Sequence, residues 1–226
     1  MSPRPTRRVP MVWRRRVVQV GGAVAVWLMS VMPLMSVTLL VGCDAPSSGG
    51  SVAAAPFKGV DITGAEYART LSLTDQNGQP RTLADFKGKV TVVFFGFTHC
   101  PDVCPTTMAE LAQVKASLGK DGDRVQGVFV TVDPERDTAA VLKTYMGGFD
   151  PSFIALRGSL EDIAAAAKEF KVFYAKVPGK TEGSYSVDHT AGSYVFDAQG
   201  KVRLFVRYGS GAEAVAADLK ALLAQG

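Results

Sequence analysis

Residues 90–119 read "VTVVFFGFTHCPDVCPTTMAELAQVKASLG", and they change period halfway along. Val90 to Phe97 is a continuous run of β-branched and aromatic residues apart from Gly96, which predicts a strand covered on both faces. After Cys104 the apolar residues fall at Met108, Leu111, Val114 and Leu118, the spacing of an amphipathic helix. Pro105 sits where a first helical turn tolerates it. Cys100 and Cys104 therefore lie at a strand-to-helix junction. A helix start favours negative charge, so thiols placed there are expected to have lowered pKa values, with Asp102 between them acting in the opposite sense. Three intervening residues set the two cysteines about one helical turn apart. That separation still closes a disulfide, and it also lets two thiolates splay around one metal ion. Of the three uses (staple, redox pair, metal clamp), the permanent staple is the weakest, because so small a loop removes little chain entropy.

Outward from this unit the chain continues to alternate. "VQGVFVTVD", residues 125–133, predicts a second buried strand. "DTAAVLKTYMGGF" predicts a helix capped by Asp137 or Thr138 and stopped by glycines. "FIALRG" reads as a short strand. "SLEDIAAAAKEF" reads as a helix whose Ser159 and Asp162 resemble a capping box. "SYVFDAQGKVRLFVRYG" predicts a hairpin turning at Gln199-Gly200, and "GAEAVAADLKALLAQG" a closing helix. Ahead of the central unit, "LSLTDQNGQPRTL" predicts another hairpin, with Asn77-Gly78 at its turn. The order implies an α/β domain of thioredoxin-like layout: a central mixed sheet flanked by helices, with an N-terminal hairpin extension. Its expected extent is residues 57–226, ample for one core.

The first 56 residues are of another kind. Six of the chain's 25 Lys and Arg, and none of its 21 acids, precede Cys43, so the formal charge of +4 belongs to the leader and the remainder is slightly acidic. Nucleic acid is not an expected partner. Val17 to Cys43 carries no charge, and about 18 apolar residues suffice to span a bilayer. Residues 1–43 are thus expected to be an export signal or membrane anchor. "LVGC", Leu40 to Cys43, resembles a lipobox in which Cys43 is lipidated. An uncleaved anchor is the alternative, and "RRR" at Arg14–Arg16 also allows a twin-arginine signal. Lipidation and the uncleaved anchor both place the domain outside the cytoplasm, membrane-attached. Residues 44–56, small and polar, read as a flexible tether. With Cys43 set aside, Cys100 and Cys104 are the remaining cysteines, in a setting that permits a disulfide between them.

The chain has two histidines. His99 adjoins Cys100. His189, in "VDHTAGSYVFD", is expected on a loop before the C-terminal hairpin, which in a thioredoxin-like layout passes beside the cysteine turn. Two thiolates and one imidazole form a soft donor set that suits copper in either oxidation state, and zinc chemically as well.

"GFTHCPDVCPTT", "VDPERDT" (132–138) and "VDHTAGSYVFD" together resemble the Sco/SenC family of copper-binding, thioredoxin-like proteins, over essentially all of residues 57–226. The resemblance implies a membrane-anchored protein outside the cytoplasm. Its expected task is assembly of the dinuclear copper site of cytochrome c oxidase, either by delivering copper or by reducing that site's cysteines. By resemblance Cys100, Cys104 and His189 are the copper ligands, and Cys100 and Cys104 the redox couple. The expected partners are the oxidase copper-site subunit and other copper chaperones or thiol reductases. His99 is a motif residue there and no ligand. Asp133 and Asp137 are expected near the same face, as outer acids or docking acids, and Asp188 either orients His189 or is solvated. A peroxiredoxin pattern is not met, since the positions seven and three residues before Cys100 are Val93 and Phe97, and before Cys104 are Phe97 and Pro101. No hydrolytic nucleophile–base–acid arrangement is evident. An ordinary thiol–disulfide oxidoreductase has two residues between its cysteines and a facing proline, where this chain has three and His189.

Overall fold

The computed structural model describes residues 57–226; the predicted leader (1–43) with Cys43, and the predicted tether (44–56), lie outside the described residues. The strands are β1 (Val60–Asp61), β2 (Ser72–Asp75), β3 (Pro80–Thr82), β4 (Val90–Gly96), β5 (Val125–Thr131), β6 (Ile154–Arg157), β7 (Tyr174–Pro178), β8 (Tyr185–His189), β9 (Gly192–Phe196) and β10 (Val202–Arg207). The helices are α1 (Val103–Ser117), α2 (Ala139–Gly147), α3 (Leu160–Glu169) and α4 (Ala212–Leu223).

Eight strands form one mixed sheet in the order β1-β10-β9-β4-β5-β6-β2-β3. β4, β5 and β6 are parallel, joined through α1 and α2; β9 and β2 run antiparallel on either side of them. Every residue of β4 and β5 is buried, as predicted for strands covered on both faces, the polar Thr91, Gln126 and Thr131 included. Side chains alternate between the two faces. Phe94 meets Phe129, which in turn packs on Tyr145 of α2. Phe95, pointing the other way, packs against Phe170 at the end of α3. The α/β class, the mixed sheet and the N-terminal hairpin β2–β3 are as read from the sequence, and that hairpin docks on β6 at the sheet's far side. Gly78 takes φ +81° at its turn, a conformation in which a side chain is strained. The capping box at α3 is present: the Ser159 amide donates to Asp162 and the Asp162 amide to the Ser159 hydroxyl.

Of the two cap candidates, Thr138 caps α2, accepting from the Val141 amide. Two elements differ from the sequence reading. β1 adds a short edge strand beside β10. Residues 174–189 form a separate two-stranded ribbon, β7–β8, so His189 ends a strand instead of lying on a plain loop. The first described residues are held by one buried side chain: Asp218 of α4 accepts the amides of Lys58 at 2.6 Å and Gly59 at 2.7 Å. Asp218→Ala should therefore lower stability by about 1–3 kcal/mol and speed amide exchange at residues 58–60. Denaturant titration with hydrogen–deuterium exchange checks this, and unchanged protection at Lys58 and Gly59 would refute the latch.

Candidate metal centre

β4 delivers the chain to the site and stops at Gly96. An added Cβ there would lie 2.9 Å from the Cys104 sulfur and 2.8 Å from the Phe94 ring, so glycine is what lets the sulfur approach the strand. The following loop is closed by the Cys100 amide donating to the Phe97 carbonyl at 3.2 Å. α1 then starts at Val103, and the Cys104 amide, one of the donors left unpaired at a helix start, points at the Cys100 sulfur at 3.4 Å. The loop is also tied to β5. Asp137, fully buried, accepts the Thr98 amide at 3.1 Å, the Thr98 hydroxyl at 2.6 Å and the Thr131 hydroxyl at 2.6 Å.

His189 arrives from β8. Its ring stands edge-on to Phe94 and Phe97, at 5.8 and 5.9 Å. Nδ1 lies 3.1 Å from the Thr190 carbonyl, which can only accept, so Nδ1 carries the proton and Nε2 presents its lone pair. Nε2 is 3.4 Å from the Cys104 sulfur. The two sulfurs and Nε2 all lie within 4.8 Å of one another, about the span that one ion with bonds near 2.0–2.3 Å bridges. Both thiols are free.

The electrostatics are set by burial. Desolvation pushes the Cys104 thiol well up, reinforced by Cys100 and Asp137 and opposed by a hydrogen bond from the Phe97 backbone. The lowered value expected for a thiol at a helix start is thus overturned at Cys104: the helix dipole acts within its first turn, and the loss of water outweighs it. Desolvation also lowers the His189 pKa, against the Thr190 carbonyl and the Asp188 charge, so the imidazole is neutral at neutral pH. Both effects leave a site of low charge that gains most from a cation replacing the Cys104 proton.

Residues 60–224 match a family model described as SCO1/SenC. The chain belongs to the SCO1/SenC family. The mitochondrial SCO2 homolog of Mus musculus is 42% identical over 139 residues, 61% of this chain; the chain spans about half of that relative, 53%. The copper-bound structure of Bradyrhizobium japonicum ScoI is 44% identical, with a TM-score of 0.62, covering 68% of this chain and 97% of that one. A SCO1/SenC family lipoprotein of Bacillus anthracis is 32% identical, with a TM-score of 0.56, covering 68% and 92%.

Of the residues that the Sco/SenC motifs single out, three meet: Cys100, Cys104 and His189. His99 is exposed and outside the cluster; its Nδ1 lies 3.2 Å from the Thr98 hydroxyl, whose own proton goes to Asp137. Asp133 and Asp137 are buried, 1% and 0% exposed, which rules out docking through their carboxylates. They hold neighbouring loops instead. Asp188 is exposed and acts on His189 through its charge alone. Sequence reading missed Tyr185 and Arg136, which brace the ribbon. The alternation Tyr185, Val187, His189 was the available signal, since it is the period of a strand with one face buried. Among the described residues, no helix is long and apolar enough to cross a membrane.

Two outcomes follow from this geometry. Gly96→Ala should cost about 1–3 kcal/mol through overpacking and displace the Cys104 sulfur, seen as a lower melting midpoint with altered thiol reactivity; a variant as stable as the parent would contradict the close approach. Iodoacetamide near pH 8 should modify Cys100, which is half-buried, about tenfold or more faster than buried, protonated Cys104. Peptide mass mapping reads the ratio, and equal rates would refute the asymmetry.

Proposed function

We propose that this chain is a membrane-attached copper chaperone outside the cytoplasm, holding one copper ion on Cys100, Cys104 and His189 and delivering it to the dinuclear copper site of cytochrome c oxidase. The observation that carries this reading is the convergence of two sulfurs and an oriented imidazole nitrogen within 4.8 Å. The donor set is soft, which suits copper. Membership of a family of copper-binding oxidase assembly proteins supports the same cargo, as does the copper bound by the Bradyrhizobium japonicum relative. The lipoprotein of Bacillus anthracis supports attachment through Cys43, with an uncleaved apolar segment as the other form of anchor.

The arrangement orders the hand-over. Cys104 is buried and His189 lies against two phenylalanine rings, while Cys100 is half-buried. An incoming thiolate of the oxidase subunit thus reaches the metal from the Cys100 side and displaces that ligand first. Reloading would come from another copper chaperone by the reverse exchange.

A second reading rests on the same difference in exposure: thiol–disulfide reduction of the oxidase site. The Cys100 thiolate attacks a target disulfide, forming a mixed disulfide and releasing one target thiolate. Cys104, deprotonated in the step, attacks the Cys100 sulfur, releases the second target thiolate and leaves the Cys100–Cys104 disulfide. The target gains two electrons, the pair loses two, and a separate thiol reductase restores the pair. Copper titration of the reduced protein should show about one ion per chain. His189→Ala should weaken uptake by more than about a hundredfold, beyond what losing an outer partner costs. Unchanged affinity in that variant would remove His189 from the ligand set. A Cys104→Ser variant that traps a mixed disulfide with the oxidase subunit would favour the reductase reading.

A further inference from the structure

His189 is the one donor that does not come from the β4–α1 segment. It ends β8, and β8 pairs as a strand with β7 alone, in a ribbon separate from the main sheet. A side chain must be held to within a fraction of an ångström for the site to close. Something has to fix the ribbon, and the contacts at its far end are unusually specific.

Tyr185, Val187 and His189 alternate onto one face of β8. Val187 is buried in the core. At the end opposite His189, the Tyr185 hydroxyl donates to Asp133 at 2.8 Å. The Arg136 guanidinium lies over the Tyr185 ring, its Cζ 3.7 Å from the centroid, and Nη1 donates to the Tyr185 carbonyl at 2.9 Å. Nε of Arg136 donates to the other oxygen of Asp133. Asp133 is itself set by its amide, which donates to the Thr131 hydroxyl at 2.9 Å, at the end of β5. On the outer side Lys176 lies over the same ring at 4.6 Å and pairs with Glu135. The Tyr185 ring is thus held by two cations and its polar ends by two further bonds. Arg136 also lies 5.8 Å from the Phe97 ring, the ring on which His189 stands edge-on.

This cluster is expensive for mere adhesion. Arg136 Nη2 is buried without a hydrogen-bond partner, and Asp133 is fully enclosed. An apolar pair of similar volume would hold the ribbon at less cost. What apolar contact does not supply is direction: a bond to the Tyr185 carbonyl and a bond to its hydroxyl fix both the height and the rotation of β8. We propose that Arg136, with Tyr185 and Asp133, is a positioning device that sets the His189 imidazole against the thiol pair from the other end of its strand. The consequence for copper rests on the chaperone reading above; the consequence for the imidazole does not.

The test uses the full chain, in detergent, with ¹⁵N-labelled histidine. There are two imidazoles in the spectrum, and His99→Gln assigns them. Metal-free parent protein should show His189 in a single tautomer, protonated at Nδ1. Tyr185→Ala and Arg136→Leu should average its two nitrogen signals and lower copper affinity about tenfold, the size of an outer-partner effect. Tyr185→Phe, which keeps the stacked ring and the carbonyl bond, should recover most of both. A melting midpoint recorded alongside separates loss of position from loss of fold. If Arg136→Leu fails to fold, Tyr185→Ala decides, because it leaves the Asp133–Arg136 pair intact. Parent-like imidazole signals in folded Tyr185→Ala would overturn the proposal. Copper uptake insensitive to His189→Ala would overturn the chaperone reading instead, and the imidazole signals would still judge the clamp.

Discussion

A buried carboxylate holds the centre of this molecule together. Asp137 reaches back from the start of α2 and gathers the amide and hydroxyl of Thr98 and the hydroxyl of Thr131. One side chain thereby joins the loop leaving β4 to the end of β5, and its own carbonyl accepts from Arg157. Within a core this dry each of those bonds is hard to replace, since an unpaired donor would lose water without recompense. The loop between Phe97 and Cys100 is short and irregular, so it has no ladder of its own to define it. Asp137 supplies that definition, and the place of the Cys100 sulfur over the first turn of α1 is inherited from it.

The main sheet was legible because its physics is local. Runs such as Val90–Phe97 and Val125–Asp133 are mostly β-branched and aromatic with no alternation of polar residues, as a strand covered on both faces needs. Cys100 and Cys104 were legible for a related reason: the change of period between Phe97 and Met108 fixes where a strand ends and a helix begins. The convergence of His189 on them was readable only through the thioredoxin-like layout and the Sco/SenC motifs, because 85 residues separate it from Cys104. The ribbon stayed hidden because Tyr174–Pro178 is largely exposed and Lys176 interrupts its alternation, so Tyr185–His189 showed no partner strand. For Asp133 and Asp137, burial removes the docking alternative and leaves the outer-acid one. Acids near a site usually face water, and nothing in "VDPERDT" reveals that Thr98 and Tyr185 come from elsewhere to meet them.

The thiol pair shows how one geometry divides labour between chemically identical groups. Cys104 lies in the core with its proton held on by the loss of water. Cys100, four residues earlier, is within reach of solvent and accepts an amide from the helix start. A cation is therefore gripped from inside and offered from outside. The same inequality sorts the sulfurs into one that an incoming thiol reaches first and one that follows.

The ribbon β7–β8 is an appendage to the sheet, yet it brings the one nitrogen donor. The sulfur chemistry and the metal geometry are thus written on different parts of the chain. Substitutions confined to residues 174–189 can retune or abolish ion holding while the core and its dithiol remain as they are. Substitutions around Gly96 touch both at once. The nitrogen donor and the dithiol are accordingly separable by substitution: a change on the peripheral hairpin can remove the one without disturbing the packing that holds the other.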